Sequence, residues 1–213
     1  MQTFRLMMLG PPGAGKGTQA KRLAARLDIP HVSTGDMLRE ARREGTELGN
    51  KAAEYMNAGK LVPDEVVIGI VRERLEQDDA ERGFILDGFP RTRPQAEALA
   101  DMGVELDAVI NIQVDDEEVV SRLGGRLSCP ECGAVYHRDA NPPSEENVCD
   151  KCGNRGLVQR DDDRPEAIRE RLEEYHRKTA PLMEFYEQRG SLQNVDGSGT
   201  PDEVSDQIAE CIA

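Results

Sequence analysis

Apolar runs of strand length alternate with stretches of helical periodicity along most of the chain. The apolar runs occupy residues 4–9, 31–33, 83–87, 108–114 and 191–195. Between the second run and the third, apolar residues recur every three or four positions, as in Val67, Ile70, Val71 and Leu75. Because strands that alternate with helices usually pair in parallel, the pattern predicts an α/β fold with a parallel sheet of about five strands and helices on both faces.

One segment, residues 125–163, departs from this pattern. It has no helical period and contains four cysteines, so we expect a small insert that lacks an apolar core of its own. After it, residues at helical spacing predict one long helix with a single buried stripe, formed by Ile168, Leu172, Tyr175, Thr179, Leu182 and Tyr186. Two capping boxes predict helix starts, Asp115 with Glu118 and Thr200 with Glu203.

A glycine-rich loop, GPPGAGKGTQ, follows the first strand at residues 10–19. Its glycines allow the backbone N–H groups to turn inward, the next helix adds the positive end of its dipole, and Lys16 adds a mobile charge. An ordinary glycine turn is the alternative, but the apolar strand before the loop and the lysine after it favour a phosphate site. Gly17 stands where many such loops carry a hydroxyl for magnesium, and the hydroxyl comes one position later at Thr18.

Acidic and basic residues lie where a phosphate site needs them. Asp87 ends the third strand, at the edge of the sheet where ligands bind, and can hold magnesium or its waters. The candidate phosphate-binding arginines come from different segments and are Arg39, Arg91, Arg126, Arg160 and Arg171. Arg164 and Arg169 are interpreted as solvated surface residues. By spacing, His31 and His176 have no predicted partner, and His137 is interpreted as structural.

Two Cys-x-x-Cys pairs lie in the insert, Cys129 with Cys132 and Cys149 with Cys152. This spacing predicts a tetrahedral zinc site of four thiolates that closes the insert. A zinc ribbon that binds nucleic acid is the alternative, but the insert is acidic and lacks a basic stripe. Cys211, near the end of the last helix, is interpreted as a small apolar residue.

The charge balance is strongly acidic, with 41 Asp and Glu against 27 Lys and Arg and a net charge of -14. Such a field disfavours nucleic acid and anionic membranes as partners. It fits either a salt-rich cytoplasm or an ordinary acidic protein, and composition does not decide between them. Because no apolar run is long enough to span a membrane and no signal-peptide pattern occurs, we expect a cytoplasmic location and no membrane partner.

Several motifs together resemble those of the adenylate kinase family in its long-lid form. They occur in the family's order over nearly the whole chain and read GPPGAGKGTQ, STGDMLR, GKLVPDE, GFILDGFPRT, GGR, CPECGAVYH, NPP, RDDDRPEAIRERL and VDG. The resemblance implies a core formed by residues 1–32, 63–124 and 164–213, an AMP-binding segment at 33–62 and a zinc-binding lid at 125–163. It also implies the magnesium-dependent reaction of ATP with AMP to give two ADP, in a protein that we expect to be a monomer.

The resemblance also implies roles for single residues. The positions implied along ATP are Gly13, Ala14, Gly15, Lys16, Gly17, Thr18, Arg126, Val135, Tyr136 and Gly199. The positions implied around AMP are Thr34, Arg39, Lys60, Leu61, Val62, Gly88, Phe89, Pro90, Arg91 and Gln95. Arg160 and Arg171 would clamp phosphates when the lid closes, and Asp87 would order the magnesium waters. Thr34 and Gln95 resemble the positions that read adenine.

Three other functions are weighed against this one. A kinase for another nucleoside monophosphate would share most of the motifs. A zinc-ribbon nucleic-acid module with an ATPase core would need a basic surface, which the insert lacks. A GTPase-type switch would need a hydroxyl directly after Lys16 and a guanine-reading motif, and the sequence has neither in the expected form.

Overall fold

The computed structural model of the chain describes residues 3–212, and a parallel sheet lies at its centre. Its strands are β1 (Phe4–Leu9), β2 (His31–Ser33), β3 (Gly83–Asp87), β4 (Ala108–Gln113) and β7 (Leu192–Asp196), and they pair in the order β2-β3-β1-β4-β7. All four pairings are parallel. Met8 pairs with Asp87, so Asp87 lies beside the point where β1 opens into the glycine loop.

Helices cover both faces of this sheet. They are α1 (Lys16–Leu27), α2 (Thr34–Arg43), α3 (Glu47–Asn57), α4 (Asp64–Leu75), α5 (Arg93–Asp101), α6 (Asp116–Gly124), α7 (Pro165–Glu174), α8 (Leu182–Glu187) and α9 (Pro201–Cys211). Along β1, Leu6 and Met8 belong to one buried cluster, whereas Met7 and Leu9 belong to another. Since both faces are buried, the strands read as continuous apolar runs, as the sequence analysis expected.

The insert forms a separate small unit of structure. Strands β5 (Arg126–Ser128) and β6 (Val135–His137) pair antiparallel, and an isolated bridge joins Ser128 to Val158. A short 3-10 helix, Asp161–Asp163, leads back to α7. The apolar cluster of the insert has four buried members, Cys129, Tyr136, Cys149 and Leu157, and two of these are cysteines.

The predicted long C-terminal helix is interrupted in the structure. After α7 the backbone forms a π-helical turn at Tyr175–Thr179, and Pro181 precedes α8. Ile168 and Leu172 pack with α6, whereas Leu182, Phe185 and Tyr186 pack in a different cluster on the sheet. The predicted burial of this stripe is confirmed, since five of its six residues are buried and Tyr175 is half-buried. The prediction of one uninterrupted helix was wrong, because a turn with an extra residue changes the face that the following residues present.

The two predicted capping boxes had different outcomes. The Thr200 side chain accepts from the Glu203 backbone N–H, and Glu203 accepts from the Thr200 N–H, which confirms the box of α9. Asp115 is the N-cap of α6, but it makes no side-chain capping hydrogen bond among the described residues, so the prediction of a capping box there was wrong.

None of the helices within residues 3–212 is both long and apolar enough to cross a membrane.

Candidate active site

The glycine loop curls back at the carboxyl end of β1. Gly10, Gly13 and Gly15 have φ values of 133°, 80° and 94°, which L side chains rarely adopt. At Gly10 the reason is also steric, because a Cβ atom would lie 2.4 Å from the carbonyl oxygen of Ile112. Gly15 caps α1 with no side-chain hydrogen bond, which leaves the first N–H groups of that helix to face a ligand.

Lys16 lies folded over this loop. Its Nζ donates to the carbonyl oxygens of Gly10, at 2.7 Å, and Pro11, at 2.6 Å. Burial lowers the pKa of Lys16 from 10.5 to about 7; Asp87 opposes this shift, and nearby arginines add to it. Negative phosphate oxygens would raise the pKa again, so the position is suited to binding an anion.

Asp87 lies at the end of β3 and next to the loop. A Cβ atom at position 17 would come within 3.2 Å of its Oδ2, so Gly17 leaves room for this carboxylate. Burial raises the pKa of Asp87, but a hydrogen bond from His31 and the charge of Lys16 outweigh it, so the pKa is lowered. Asp87 is thus ionised, as a group that orders cations must be.

Two histidines have partners that spacing along the sequence did not predict. His31 Nε2 lies 3.1 Å from Asp87 Oδ2, and both side chains are largely buried. Because an ionised carboxylate can only accept, the imidazole N–H is the donor. His176 Nε2 lies 2.9 Å from Asp116 Oδ2 at the surface. Neither contact could be read from the sequence, because each joins residues far apart in the chain.

The five candidate arginines converge from separate elements. Arg39 lies on α2, Arg91 follows β3, Arg126 begins β5, Arg160 precedes the 3-10 helix and Arg171 lies on α7. Burial, together with the charges of Arg126 and Arg39, lowers the pKa of Arg160 to about 10. Burial also lowers the pKa of Arg91, with a further contribution from Arg171. The guanidiniums are therefore close enough to repel one another and need negative partners.

Asp163 and Asp162 supply part of that negative charge. Arg126 binds Asp163 through two hydrogen bonds, of 2.7 and 2.5 Å, and Arg171 Nη1 lies 3.1 Å from the same carboxylate. Asp163 has no exposed side-chain surface. Arg171 also lies 3.0 Å from Asp162. Burial raises the pKa of Asp162, but the surrounding arginines outweigh it and the pKa is lowered.

This role of the acidic run at residues 161–163 was not predicted, because the acidity of the insert indicated only that it does not bind nucleic acid. The sequence does show that acidic residues directly follow Arg160. It does not show which arginine they pair with, because Arg126 and Asp163 lie 37 positions apart.

A second group of residues lies around the loop after β3. Thr34 Oγ1 donates to the Gly88 carbonyl at 2.9 Å, and Arg91 Nε donates to the same oxygen at 2.8 Å. Gln95 Oε1 accepts from the Arg91 backbone N–H at 2.8 Å, while Gln95 Nε2 donates to Asp64 Oδ1 at 2.7 Å. Asp64 was not a candidate residue, although it lies in the quoted GKLVPDE motif; it fixes the amide of Gln95.

Other predicted AMP positions differ in what they can present. The side chains of Phe89 and Val62 are buried in the main core, so these residues can offer a ligand only main-chain atoms. Pro90 follows a cis peptide bond. Leu61 is half-buried and Lys60 is exposed.

A cleft separates α2 and α3 from the end of the insert. Its volume is about 410 Å³, and Arg39, Arg42 and Met56 on one side face Val158, Arg160 and Asp162 on the other. Arg42 Nη1 lies 3.4 Å from Asp161 Oδ2 across it. The cleft therefore lies between the two segments that the resemblance assigns to the second nucleotide and to the lid.

Three predicted ATP positions lie outside the glycine loop and the arginine group, in different surroundings. Val135 is exposed on β6. Tyr136 is buried, and its hydroxyl accepts from the Asp150 backbone N–H at 2.8 Å, so the hydroxyl is used inside the insert. Gly199 precedes α9, where a Cβ atom would lie 3.0 Å from Glu203 Oε2. Their contact with a nucleotide stays a prediction.

The four insert cysteines form one cluster. Their Sγ atoms all lie within 4.8 Å of one another. Tetrahedral zinc with Zn–S bonds of about 2.3 Å needs sulfurs about 3.8 Å apart, so the cluster fits such an ion. A hydrogen bond from the Tyr136 hydroxyl lowers the pKa of Cys149 to about 6, with backbone N–H groups of Cys152 and Lys151 contributing. Against a backbone hydrogen bond from Asn154, the contacts with Cys132 and Cys129 raise the pKa of Cys152 to about 12, so a bound metal would have to displace that proton. Thiolates are the form that binds zinc, and these residues could hold it.

The fold and the site together define a class. A parallel sheet, a glycine loop with Lys16 at the start of a helix, and a cluster of arginines from several segments are the parts of a phosphotransferase, and here of a nucleoside monophosphate kinase. A sequence model of the adenylate kinase family matches residues 8–191. The chain belongs to the adenylate kinase family.

Individual relatives agree with this membership. The adenylate kinase of Archaeoglobus fulgidus is 61% identical over 199 residues, which cover 92% of this chain and 91% of the relative. Adenylate kinases from Syntrophotalea carbinolica and Methanosarcina barkeri are 53% and 52% identical, and each alignment covers at least 96% of both chains. Adenylate kinases use Mg²⁺ together with ATP, so adenine nucleotides and Mg²⁺ are the expected ligands.

Proposed function

We propose that this chain transfers the terminal phosphoryl group of ATP to AMP, reversibly, and so balances the adenine nucleotides. The observation that carries the proposal is the convergence of Lys16 and five arginines, from separate elements, on the glycine loop and the cleft beside it. Phosphoryl transfer needs positioning and charge stabilisation more than covalent chemistry. Lys16 and these five arginines, which we call the cation cluster, supply both.

The loop is the proposed ATP side of the site. Backbone N–H groups of residues 13–18 hold the outer phosphates. Lys16 gives up its hydrogen bonds to the carbonyls of Gly10 and Pro11 and binds these phosphates instead. Arg126 lies at the entrance to the insert, and Val135, Tyr136 and Gly199 are proposed to line the remaining nucleotide. Asp87, which is ionised and lies beside Gly17, would hold the waters of the Mg²⁺ that accompanies ATP, and that ion would neutralise phosphate charge.

The segment beside the cleft is the proposed AMP side. Arg39 and Arg91 bind the monophosphate, while Thr34 and Gln95 read the base. Main-chain atoms at 60–62 and 88–90 complete the site. Arg160 and Arg171 lie between the two sides and are proposed to stabilise the phosphoryl group as it moves. Closure of the insert over the site excludes water, which would otherwise accept the phosphoryl group; adenylate kinase is a standard example of such a lid.

The proposed division of the chain follows from these roles. The AMP segment is residues 33–62, the zinc-binding lid is 125–163, and the core is the remainder. Zinc in the lid is proposed to be structural, because none of its four cysteine ligands belongs to the group of Lys16 and the five arginines that would bind the phosphates. A monomeric state, a cytoplasmic location and the lack of nucleic-acid partners stay predictions of the sequence.

A coupled assay with ATP and each nucleoside monophosphate tests the proposal. We expect a clear preference for AMP, and equal turnover of a pyrimidine monophosphate would contradict it. The same assay in low and in molar KCl tests whether the acidic surface is an adaptation to salt.

Two substitutions on one helix provide the matched control. Arg171 lies in the cluster, whereas Arg169 on the same helix is exposed. Arg171→Gln should lower turnover by about 100-fold or more, as for other phosphate-binding arginines, and Arg169→Gln should leave it unchanged. Equal effects of the two would argue against the proposed cluster.

A further inference from the structure

The π-helical turn after α7 has no role in the proposed function, although it contacts the loop that carries Arg91. Ala180 N donates to Tyr175 O at 2.8 Å, a span of five residues in place of four. Such turns accommodate one extra residue and are frequent near functional sites. Within this turn, His176, Arg177 and Lys178 are exposed, whereas Thr179 is buried.

The turn changes which residues share a face. An α-helix rotates by about 100° per residue, so Arg171 and Thr179, eight positions apart, would lie about 80° apart on a continuous helix. With one residue absorbed by the π-turn, their effective separation is seven positions, and they lie within about 20° of each other. The same face therefore presents Arg171 to the acidic pair at 162–163 and Thr179 to the loop after β3.

Thr179 contacts that loop at one point. Its Oγ1 donates to the carbonyl oxygen of Arg91 at 2.8 Å, across 88 positions of sequence. In the part of the chain that the structure describes, the other hydrogen bonds of Arg91 are local: its N–H donates to Gln95 Oε1 and its Nε to the Gly88 carbonyl, both at 2.8 Å. Thr179 thus ties this loop to the helix that carries Arg171.

We propose that Thr179 is a positioning residue, which holds the main chain of Arg91 so that its guanidinium and that of Arg171 keep a fixed relation in the phosphate cluster. The inference rests on the proposed function, since it assigns Arg91 to the AMP phosphate. Burial of Thr179 keeps water from replacing its hydroxyl, so the carbonyl of Arg91 depends on this one donor.

Substitutions at Thr179 test this role. Thr179→Val removes the hydroxyl and keeps the shape, whereas Thr179→Ser keeps the hydroxyl. We expect Thr179→Val to weaken AMP binding, measured by calorimetry, and to lower kcat, each by about three- to tenfold, with KM for ATP within twofold. Thr179→Ser should restore both. Ser191→Ala, which removes a hydroxyl that donates to the Tyr186 carbonyl at 3.4 Å outside the site, should leave AMP affinity unchanged.

A double-mutant cycle separates positioning from general destabilisation. If Thr179 acts through the guanidinium of Arg91, Thr179→Val should have little further effect in an Arg91→Lys background. Additive losses, equal impairment of the Val and Ser variants, or proportional changes in the ATP and AMP constants would overturn the inference. If Thr179→Val does not fold, Thr179→Ala enters the same cycle, with the same outcomes deciding.

The inference and the proposed function can fail separately. A wild-type protein that shows no AMP-dependent formation of ADP contradicts the proposed function. A wild-type protein that turns over AMP, with a Thr179→Val variant of unchanged AMP affinity and kcat, contradicts the inference alone.

Discussion

The cation cluster around the glycine loop and the cysteine cluster of the insert hold polar groups together in different ways. The first is built on a sheet that is buried on both faces, and its charges are paired by carboxylates such as Asp163. The second lies in a segment whose buried apolar cluster has four members, two of them cysteines. The core can therefore fix its site by packing, whereas we propose that the insert uses a metal to fix its own.

This difference implies that the two regions fail in different ways. A change in the cation cluster should remove function and leave the fold, because the sheet does not depend on it. A change in the cysteine cluster should remove local structure first, and function only as far as the lid contributes.

Lys16→Met should have the largest effect. It keeps an apolar stem and removes the ammonium group, so we expect turnover to fall by about 1,000-fold or more. The fold should persist, and below pH 7 the melting temperature should not fall. The sign follows from the lowered pKa: the buried ammonium costs stability while it is charged below about pH 7, and this cost disappears as the pH rises towards 10.5.

Near-normal turnover of Lys16→Met in the coupled assay would remove the lysine from the mechanism. A collapse of the melting temperature would instead show that Lys16 supports the fold as well as function.

Asp163→Asn tests the pairing inside the cation cluster. Arg126 would keep at most one hydrogen bond, to the amide oxygen, and would lose its charged partner, so we expect a loss of about 3 kcal/mol in the free energy of unfolding together with about a tenfold loss in turnover. Asp161→Asn is the control, because Asp161 pairs with Arg42 and Arg164 at the surface. That variant should change stability by less than about 1 kcal/mol. Equal losses in a denaturant titration would show that burial of the pair does not matter.

Removal of the metal tests the insert. Chelation, or Cys129→Ser, should lower the melting temperature of the first transition by about 10 °C and expose the insert to proteolysis. Cys211→Ser is the control, because Cys211 lies on α9, away from the cluster. Metal analysis should find one zinc per chain. An unchanged melting curve after complete removal would show that the cysteines hold the insert without zinc.

The smallest expected effect is the uptake of a proton when nucleotide binds. With a pKa of about 7, Lys16 is mostly neutral at pH 8 in the free protein, and bound phosphates should restore its charge. Nucleotide binding at pH 8 should therefore take up about 0.9 of a proton, and less at pH 6. Calorimetry in buffers of different ionisation enthalpy measures this uptake. Lys16→Met should lose it, and uptake that is equal in the variant would assign the proton to another group.

Much of the fold and of the candidate sites could be predicted from the sequence because their signals are local. The glycine loop, the strand ends and the paired cysteines are each written within a few consecutive residues. The contacts of Asp163, Asp64 and Thr179 could not be predicted, since each joins segments whose relative placement depends on the whole sheet. The π-turn was missed for another reason: an extra residue in a helix leaves the apolar period intact on either side and changes only the phase between the two halves.

The central claim is that one continuous cation cluster binds two nucleotides in line. It is tested most directly by calorimetry with a ligand in which two adenosines are joined through one polyphosphate chain. We predict one ligand per chain, bound far more tightly than ATP or AMP alone, with affinity reduced at least about 100-fold by Lys16→Met and by Arg171→Gln alike. Binding no tighter than that of ATP, or a loss in only one of the two variants, would contradict the account.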